Sequence, residues 1–369
     1  MDEKELKYLI ALTLIPHVGS VTARKLLAYA GSAEAVFREN HRSLRKIPGV
    51  GDFIARQKNT SGIIEKAEKE LIFIKKNNIK WLTLQSCDYP ERVRQCSDAP
   101  LILYFRGENI FNHARILSVV GTRRATPYGI ELCRKIISEL AEKELDPVII
   151  SGLAYGIDYQ AHLAALNSGL KTAAVLAHGL HTLYPYDHRR LAEKIEKTGA
   201  LVTDFTSSED PERNNFLKRN RIIAGMSDAT LVVESGISGG ALITSDFANS
   251  YNRDVFALPG RAGDTFSSGC NHLIKNNKAA LIESADDLQY LMSWDDKNSS
   301  SVPRQRILFP ELSREEAQVV KLLEAEDRLP VDVISIRMGM PVSKIASVLL
   351  NLEFQGVLKV LPGNIYRLA

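Results

Sequence analysis

Four cysteines in 369 residues (Cys87, Cys96, Cys133 and Cys270), no two of them in a CxxC pair, supply neither a zinc site nor a disulfide framework, and they fit a reducing cytoplasm. No run approaches the ~18 uninterrupted apolar residues that a membrane span needs. The opening MDEKELKYLI mixes charges of both signs and lacks the apolar stretch and small-residue cleavage site of a secretion signal. An excess of one charge is missing too. The 47 Lys+Arg against 44 Asp+Glu leave +3, a surplus too small to indicate nucleic acid unless the charges are concentrated somewhere. Hydrophobic residues at 45% and charged residues at 25% exclude a disordered or fibrous chain. At about 150 residues per domain the length allows two or three domains.

Catalytic signatures are equally scarce. There is no GxxxxGK[ST] phosphate loop, no GxSxG elbow, no HExxH helix and no tight acidic cluster for a two-metal site. These absences argue against a P-loop ATPase, an α/β-hydrolase, a zinc protease and a two-metal nuclease. Cys270 lies beside a glycine but has no evident base partner. No cofactor and no catalytic residue is expected.

The pattern that is present has three parts. In residues 1–80, Ile15-Pro16-His17-Val18-Gly19 with Ala23-Arg24 recurs 32 positions later as Ile47-Pro48-Gly49-Val50-Gly51 with Ala55-Arg56. This resembles a double helix-hairpin-helix, in which a tight turn offers amide groups to a phosphate. Residues 1–60 hold ten Lys/Arg against six Asp/Glu. Over 81–293, short Val/Ile/Leu/Ala runs at 116–120, 148–150, 172–176, 201–203, 230–233, 255–258 and 279–282 alternate with helical segments. Continuous apolar strands suit a parallel sheet covered on both faces, so an α/β, Rossmann-like doubly wound sheet is predicted. A polar linker at 294–310 leads to residues 311–369. Three helical segments and a short ribbon there predict a winged helix. Seven Lys/Arg against eight Asp/Glu, with Lys344 the only base on the candidate recognition helix, favour a protein contact over duplex reading.

In a doubly wound sheet, ligands bind beyond the carboxyl ends of the strands, and those turns are distinctive here. The first is Gly121-Thr122-Arg123-Arg124-Ala125-Thr126-Pro127. It predicts an anion site, with two arginines beside a helix that Thr126 caps and Pro127 opens. Gly129 falls too far along for GxGxxG, which disfavours a dinucleotide. The second turn, Ser151-Gly152-Leu153-Ala154-Tyr155-Gly156-Ile157-Asp158, offers Ser151 and amide groups to a second phosphate, with Asp158 as a helix cap. His178, His181 and His188 crowd the third, but their spacing argues against a metal, and Asp187 is expected to cap the next helix. The helix at 215–226 carries Lys218, Arg219 and Arg221 in four positions. Lys218 and Arg221 are expected on one face, Arg219 on another phosphate, Asn220 on a backbone or base edge, and Phe216 against an unpaired base. The Glu234–Ala241 turn is again rich in glycine. Several such turns on one rim predict a basic trough longer than one mononucleotide, which matches single-stranded nucleic acid. The alternative is a nucleotide-processing enzyme. The Ser238-Gly239-Gly240 turn behind Glu234 resembles the PGGxGT loop of nucleotide phosphoribohydrolases, but lacks its proline and has Thr244 displaced.

The series GTRRATPYG, SGLAYGIDYQAH, AHGLHTLYPYDHRRLA, FLKRNRIIAG, ESGISGGALITSDFA, ALPGR and GCNHLIK closely resembles the bacterial DNA processing protein A (DprA/Smf) family over about residues 85–290. The resemblance implies a cytosolic, non-enzymatic protein that binds single-stranded DNA during natural transformation. It implies shielding of incoming DNA and loading of the RecA recombinase for homologous recombination, with a homodimer formed through the Rossmann-like domain. The family's DNA pocket falls on Gly121, Arg123, Ser151, Gly152, Phe216, Lys218, Arg219, Asn220, Arg221 and Lys275, with Thr122 and Arg124 alongside. Thr122 stands where the family commonly has serine, and Leu217 where proline is frequent.

Overall fold

The computed structural model describes residues 2–47, 49–50, 62–294, 312–326, 328–361 and 363–368. Most of the second hairpin copy and all but the first residue of the 294–310 linker therefore lie outside the described residues. The first copy joins the helices Glu3–Thr13 and Ser20–Ala30 by a short turn ending at Gly19.

The central domain is built on nine strands: β1 (Lys80–Thr83), β2 (Ile102–Gly107), β3 (Ile116–Val120), β4 (Val148–Ser151), β5 (Thr172–Val175), β6 (Ala200–Thr203), β7 (Ala229–Val232), β8 (Asp254–Ala257) and β9 (Ala280–Leu281). They are ordered β1-β2-β6-β5-β4-β3-β7-β8-β9. From β6 to β9 every pairing is parallel, with Leu117 of β3 opposite both Ile149 and Ala229. The pairs β1–β2 and β2–β6 are antiparallel and extend one edge. The doubly wound, mostly parallel sheet expected from the sequence is thus present, widened by an antiparallel margin.

Alternation along each strand sends side chains to two cores. Leu117, Val119, Ile149 and Leu231 face the helices Pro127–Glu142, Ile157–Asn167 and Ala285–Leu291. Ile116, Val120, Ile150, Val175 and Val232 face the helices Arg213–Gly225, Gly240–Ser250 and Ser268–Lys275. The helix at Pro127 illustrates the local logic. Thr126 accepts the Gly129 amide, proline takes the first turn where no amide hydrogen is needed, and Cys133, Ile136, Ile137 and Leu140 form its buried stripe. The amino-terminal helices are not independent of this body. Leu6, Ile10, Leu26 and Ile74 share one core with Ile102, Tyr104, Leu176 and Leu201.

The carboxyl-terminal unit is a winged helix. Helices Arg314–Ala325, Val331–Met338 and Val342–Phe354 enclose Val319, Leu323, Ile334, Ile345 and Leu349. Beside the expected ribbon (β11, Leu358–Leu361, and β12, Ile365–Leu368), a third strand, β10 (Arg328–Pro330), pairs with β12. Only three residues long and ending in proline, β10 carried no periodic signal. Lys344 is paired with Glu315, so the one base of the candidate recognition helix is neutralised, and Leu350 and Phe354 are exposed on the same helix. No single helix among the described residues is long and apolar enough to cross a membrane.

Candidate nucleic-acid interface

Strand order reverses between β3 and β7, the switch point beyond whose carboxyl ends ligands bind in doubly wound sheets. The turn after β3 is locked to its neighbours. Thr122 donates its amide to the Glu234 carbonyl at 2.7 Å, and Ile157 donates its amide to the Thr122 carbonyl at 3.1 Å. A Cβ on Gly121 would lie 2.5 Å from Ile157 Cγ1, and one on Gly156 (φ +76°) only 2.2 Å from the Thr122 carbonyl oxygen. These two glycines are therefore required for the β3 and β4 turns to touch.

One expectation is corrected at this turn. The start of the Pro127 helix is not open to an external anion, because Glu234 already occupies it. Its buried carboxylate accepts the Thr126 amide (2.9 Å) and the Thr126 hydroxyl (2.6 Å). That also removes Glu234 from any solvent-facing role of the sort a nucleotide-cleaving carboxylate needs. What remains at the surface are Arg123 and Arg124. Both are exposed, and neither has an acidic partner among the described residues. The Arg123 guanidinium lies 4.9 Å from the centre of the Phe216 ring. Thr122 Oγ1 accepts the Arg124 amide at 3.2 Å and so shapes the turn that presents both cations.

The β4 turn departs further from expectation. Ser151 is fully buried, and its hydroxyl donates to the Val119 carbonyl at 2.6 Å. The Gly152 and Ala154 amides donate to Asp158 Oδ2 at 3.2 and 3.4 Å. The groups assigned to a second phosphate are thus satisfied internally, the Ser151 hydroxyl by a backbone carbonyl and the two amides by a carboxylate. The buried Arg219 lies in the same interior, its charge favouring the Asp158 carboxylate while its guanidinium donates to the Gly152 and Val175 carbonyls. A Cβ on Gly152 would collide with that guanidinium at 2.3 Å. Burial pulls the Arg219 pKa down to about 10 and raises that of Asp158.

His162 lies in the same interior. Its Nδ1 is 2.7 Å from the Thr172 hydroxyl, which itself donates to the Ile149 carbonyl, so the network assigns the proton to Nδ1. Burial, with the nearby Arg219 charge second, lowers the His162 pKa to about 3. Between pH 6.5 and about 3 the unfolded chain binds a proton that the folded chain refuses. Stability is then complete above pH 6.5 and falls on acidification by up to about 1.4 kcal/mol per unit across that window. In His162→Gln, the slope of unfolding free energy against pH between 4 and 6 should be smaller by up to one proton. Identical slopes would refute this.

The Arg213–Gly225 helix divides its polar residues unexpectedly. Phe216 is half-buried and Lys218 exposed at the rim, while Arg219, Asn220 and Arg221 turn inward. Arg221 pairs with Asp204, with Asp98 3.9 Å away, and Asn220 donates to the Gly240 carbonyl at 3.3 Å. Lys218 and Arg221 therefore do not share a solvent face. The phosphate roles expected for Arg219 and Arg221, and the base or backbone edge for Asn220, give way to packing roles.

Lys275 is also relocated. It ends a helix that runs back from the β8 turn toward the start of β9. The adjacent Lys278 carbonyl accepts from Asn249, which precedes β8. Lys275 thus lies at the amino edge of the sheet, opposite the rim. Lys275→Ala should leave single-strand affinity within twofold of the parent, and a loss comparable to that of a rim substitution would contradict the placement.

The three histidines of the β5 turn hold separate partners. His178 contacts the Gly179 carbonyl and the Tyr184 amide, His181 contacts Asp210, and His188 contacts the Leu153 carbonyl. No metal-binding group of three His/Cys/Asp/Glu occurs among the described residues. Asp187 does not cap the following helix; it accepts the Tyr155 hydroxyl at 2.9 Å. Sequence reasoning missed the exposed aromatic rings of this rim, Tyr155 and Tyr184, because it searched the turns for glycine and charge. Tyr184 stands edge-on to Phe216 with ring centres 5.8 Å apart.

The model of the family described as DNA recombination-mediator protein A matches residues 80–293, and that of the DprA winged helix domain matches residues 309–364. The chain belongs to the DNA recombination-mediator protein A family. It is 36% identical over 312 residues to "Protein Smf" of Escherichia coli, covering 82% of this chain and 80% of that protein. It is 40% identical over 205 residues to the DNA processing protein DprA of Streptococcus pneumoniae, covering 56% and 71%. The solved structure of the S. pneumoniae protein superimposes with a TM-score of 0.64 at 30% identity, covering 77% of this chain and 97% of that one. A Helicobacter pylori DNA processing protein A, described for its single-stranded DNA binding mode, aligns with a TM-score of 0.52 at 26% identity, covering 58% and 96%.

Proposed function

We propose that this family member binds single-stranded DNA along the carboxyl rim of its parallel sheet and performs no chemistry on it. The observation that carries this reading is Arg123: an exposed guanidinium at the switch point, with no acidic partner among the described residues, seated over Phe216. Arg123, Arg124 and Lys218 supply cations for phosphates. Phe216 and Tyr184 supply π surface that only an unpaired base can use. The DNA named for the H. pylori relative supports the same choice of ligand. On this reading the protein shields incoming strands and delivers them to RecA during natural transformation and homologous recombination, acting in the cytoplasm as a homodimer built on the Rossmann-like domain. The winged helix, with Lys344 neutralised, serves as a protein contact. The test is fluorescence anisotropy with labelled oligothymidine and a duplex of equal length. Tighter binding of the single strand, weakening with salt, is expected; equal or stronger duplex binding would overturn the reading.

A further inference from the structure

The rim beyond Phe216 is rich in exposed aromatic surface, with Arg189 (paired to Glu193) and Arg190 exposed where the next helix begins. Tyr184 and Tyr155 are each 44% exposed, although each is anchored on one side. Tyr184 meets Phe216 edge-on. Tyr155 is held at two points, with its ring edge-on to His188 (centres 4.8 Å apart) and its hydroxyl on Asp187. Asp187 and His188 lie three and four residues after Tyr184, so both anchors of Tyr155 are on the turn that carries Tyr184, and Arg123, Phe216, Tyr184 and Tyr155 all belong to the β3-to-β5 part of the rim. Exposed tyrosines fixed by partners at one edge lose little rotamer freedom when a flat ligand covers the other side. Against the β6 end, Glu209, Asp210 and Glu212 present an exposed acidic margin that repels phosphate, so a strand leaving Phe216 is turned toward the tyrosines.

We infer that Tyr184 and Tyr155 form a base-stacking subsite that takes the nucleotides adjoining the one at Arg123 and Phe216. This rests on the single-strand reading above. The subsite is specific for unpaired bases and tolerant of their sequence, because it holds them by ring faces, and the Tyr155 hydroxyl is already given to Asp187. It adds no phosphate contact.

The test uses the full chain, oligothymidine, and an oligomer of equal length whose central positions are abasic with the sugar–phosphate backbone intact. Tyr155→Ala and Tyr184→Ala should each weaken oligothymidine binding by roughly 5- to 50-fold, in the range of a lost base stack. The slope of log affinity against log salt should not change, and the loss should largely vanish on the abasic oligomer. Tyr155→Phe, which keeps the ring and loses the Asp187 hydrogen bond, should bind within about threefold of the parent. Equal losses on both oligomers, or no loss on either, would overturn the subsite. If Arg123→Ala still weakens binding in that case, the rim reading survives without it. If the parent chain fails to bind oligothymidine, both fall.

Discussion

Arg219→Ala is expected to destabilise the protein by about 3–5 kcal/mol, because it empties a fully buried site, strands the carbonyls the guanidinium serves and removes a charge that favours the buried Asp158 carboxylate. Asp158 sits among the Gly152 and Ala154 amides, and Arg219 is the cation whose charge acts on it. Removing the guanidinium also leaves the Gly152 and Val175 carbonyls without their donor. Chemical denaturation should show the loss directly. Any fall in DNA binding should follow the unfolded fraction and recover where the variant is folded. A variant of parental stability that nonetheless lost DNA affinity would restore Arg219 to the interface.

Arg123→Ala should behave in the opposite way. Its side chain is exposed, so unfolding free energy should change by less than about 0.5 kcal/mol. Affinity for oligothymidine should fall roughly 10- to 100-fold, because a phosphate contact and a clamp on Phe216 go together. The slope of log affinity against log salt should flatten by about one unit, the signature of one released counterion fewer. Unchanged affinity and slope would remove the rim from the account. One arginine is on the β3 turn and the other on the Arg213–Gly225 helix, and both guanidiniums approach the Phe216 ring, at 4.9 and 5.8 Å, yet their substitution separates stability from binding.

The sheet was legible because its strands are buried on both faces. A run such as Ile116–Val120 has no polar alternation to obscure it, and glycine, Thr-Pro or Asp marks each exit. The switch point was less visible, since pairing order depends on contacts between distant segments. For the site, Arg123 and Lys218 are at the surface where their charge suggested. Arg219 and Arg221 are inside because a basic run on a helix does not reveal which face is buried. The acidic groups that act on them, Asp158 on Arg219 by its charge and Asp204 on Arg221 as an ion pair, come from other segments. Glu234 had one available signal, a lone carboxylate ending the strand beside a Thr-Pro helix start. Lys275 was carried over from the family resemblance alone, and the 8-residue helix it ends, about 12 Å of rise, takes it away from the rim. Tyr155 and Tyr184 gave no charge signal, and only the fold joins them to Phe216.

A crystal structure of the chain with a short oligothymidine tests the central claim most directly. The account predicts a backbone phosphate within hydrogen-bonding reach of the Arg123 guanidinium at the carboxyl rim between β3 and β7, with an adjacent base against Phe216. A strand lying instead along the amino edge near Lys275, or on the winged helix with the rim closed by its own side chains, would contradict it.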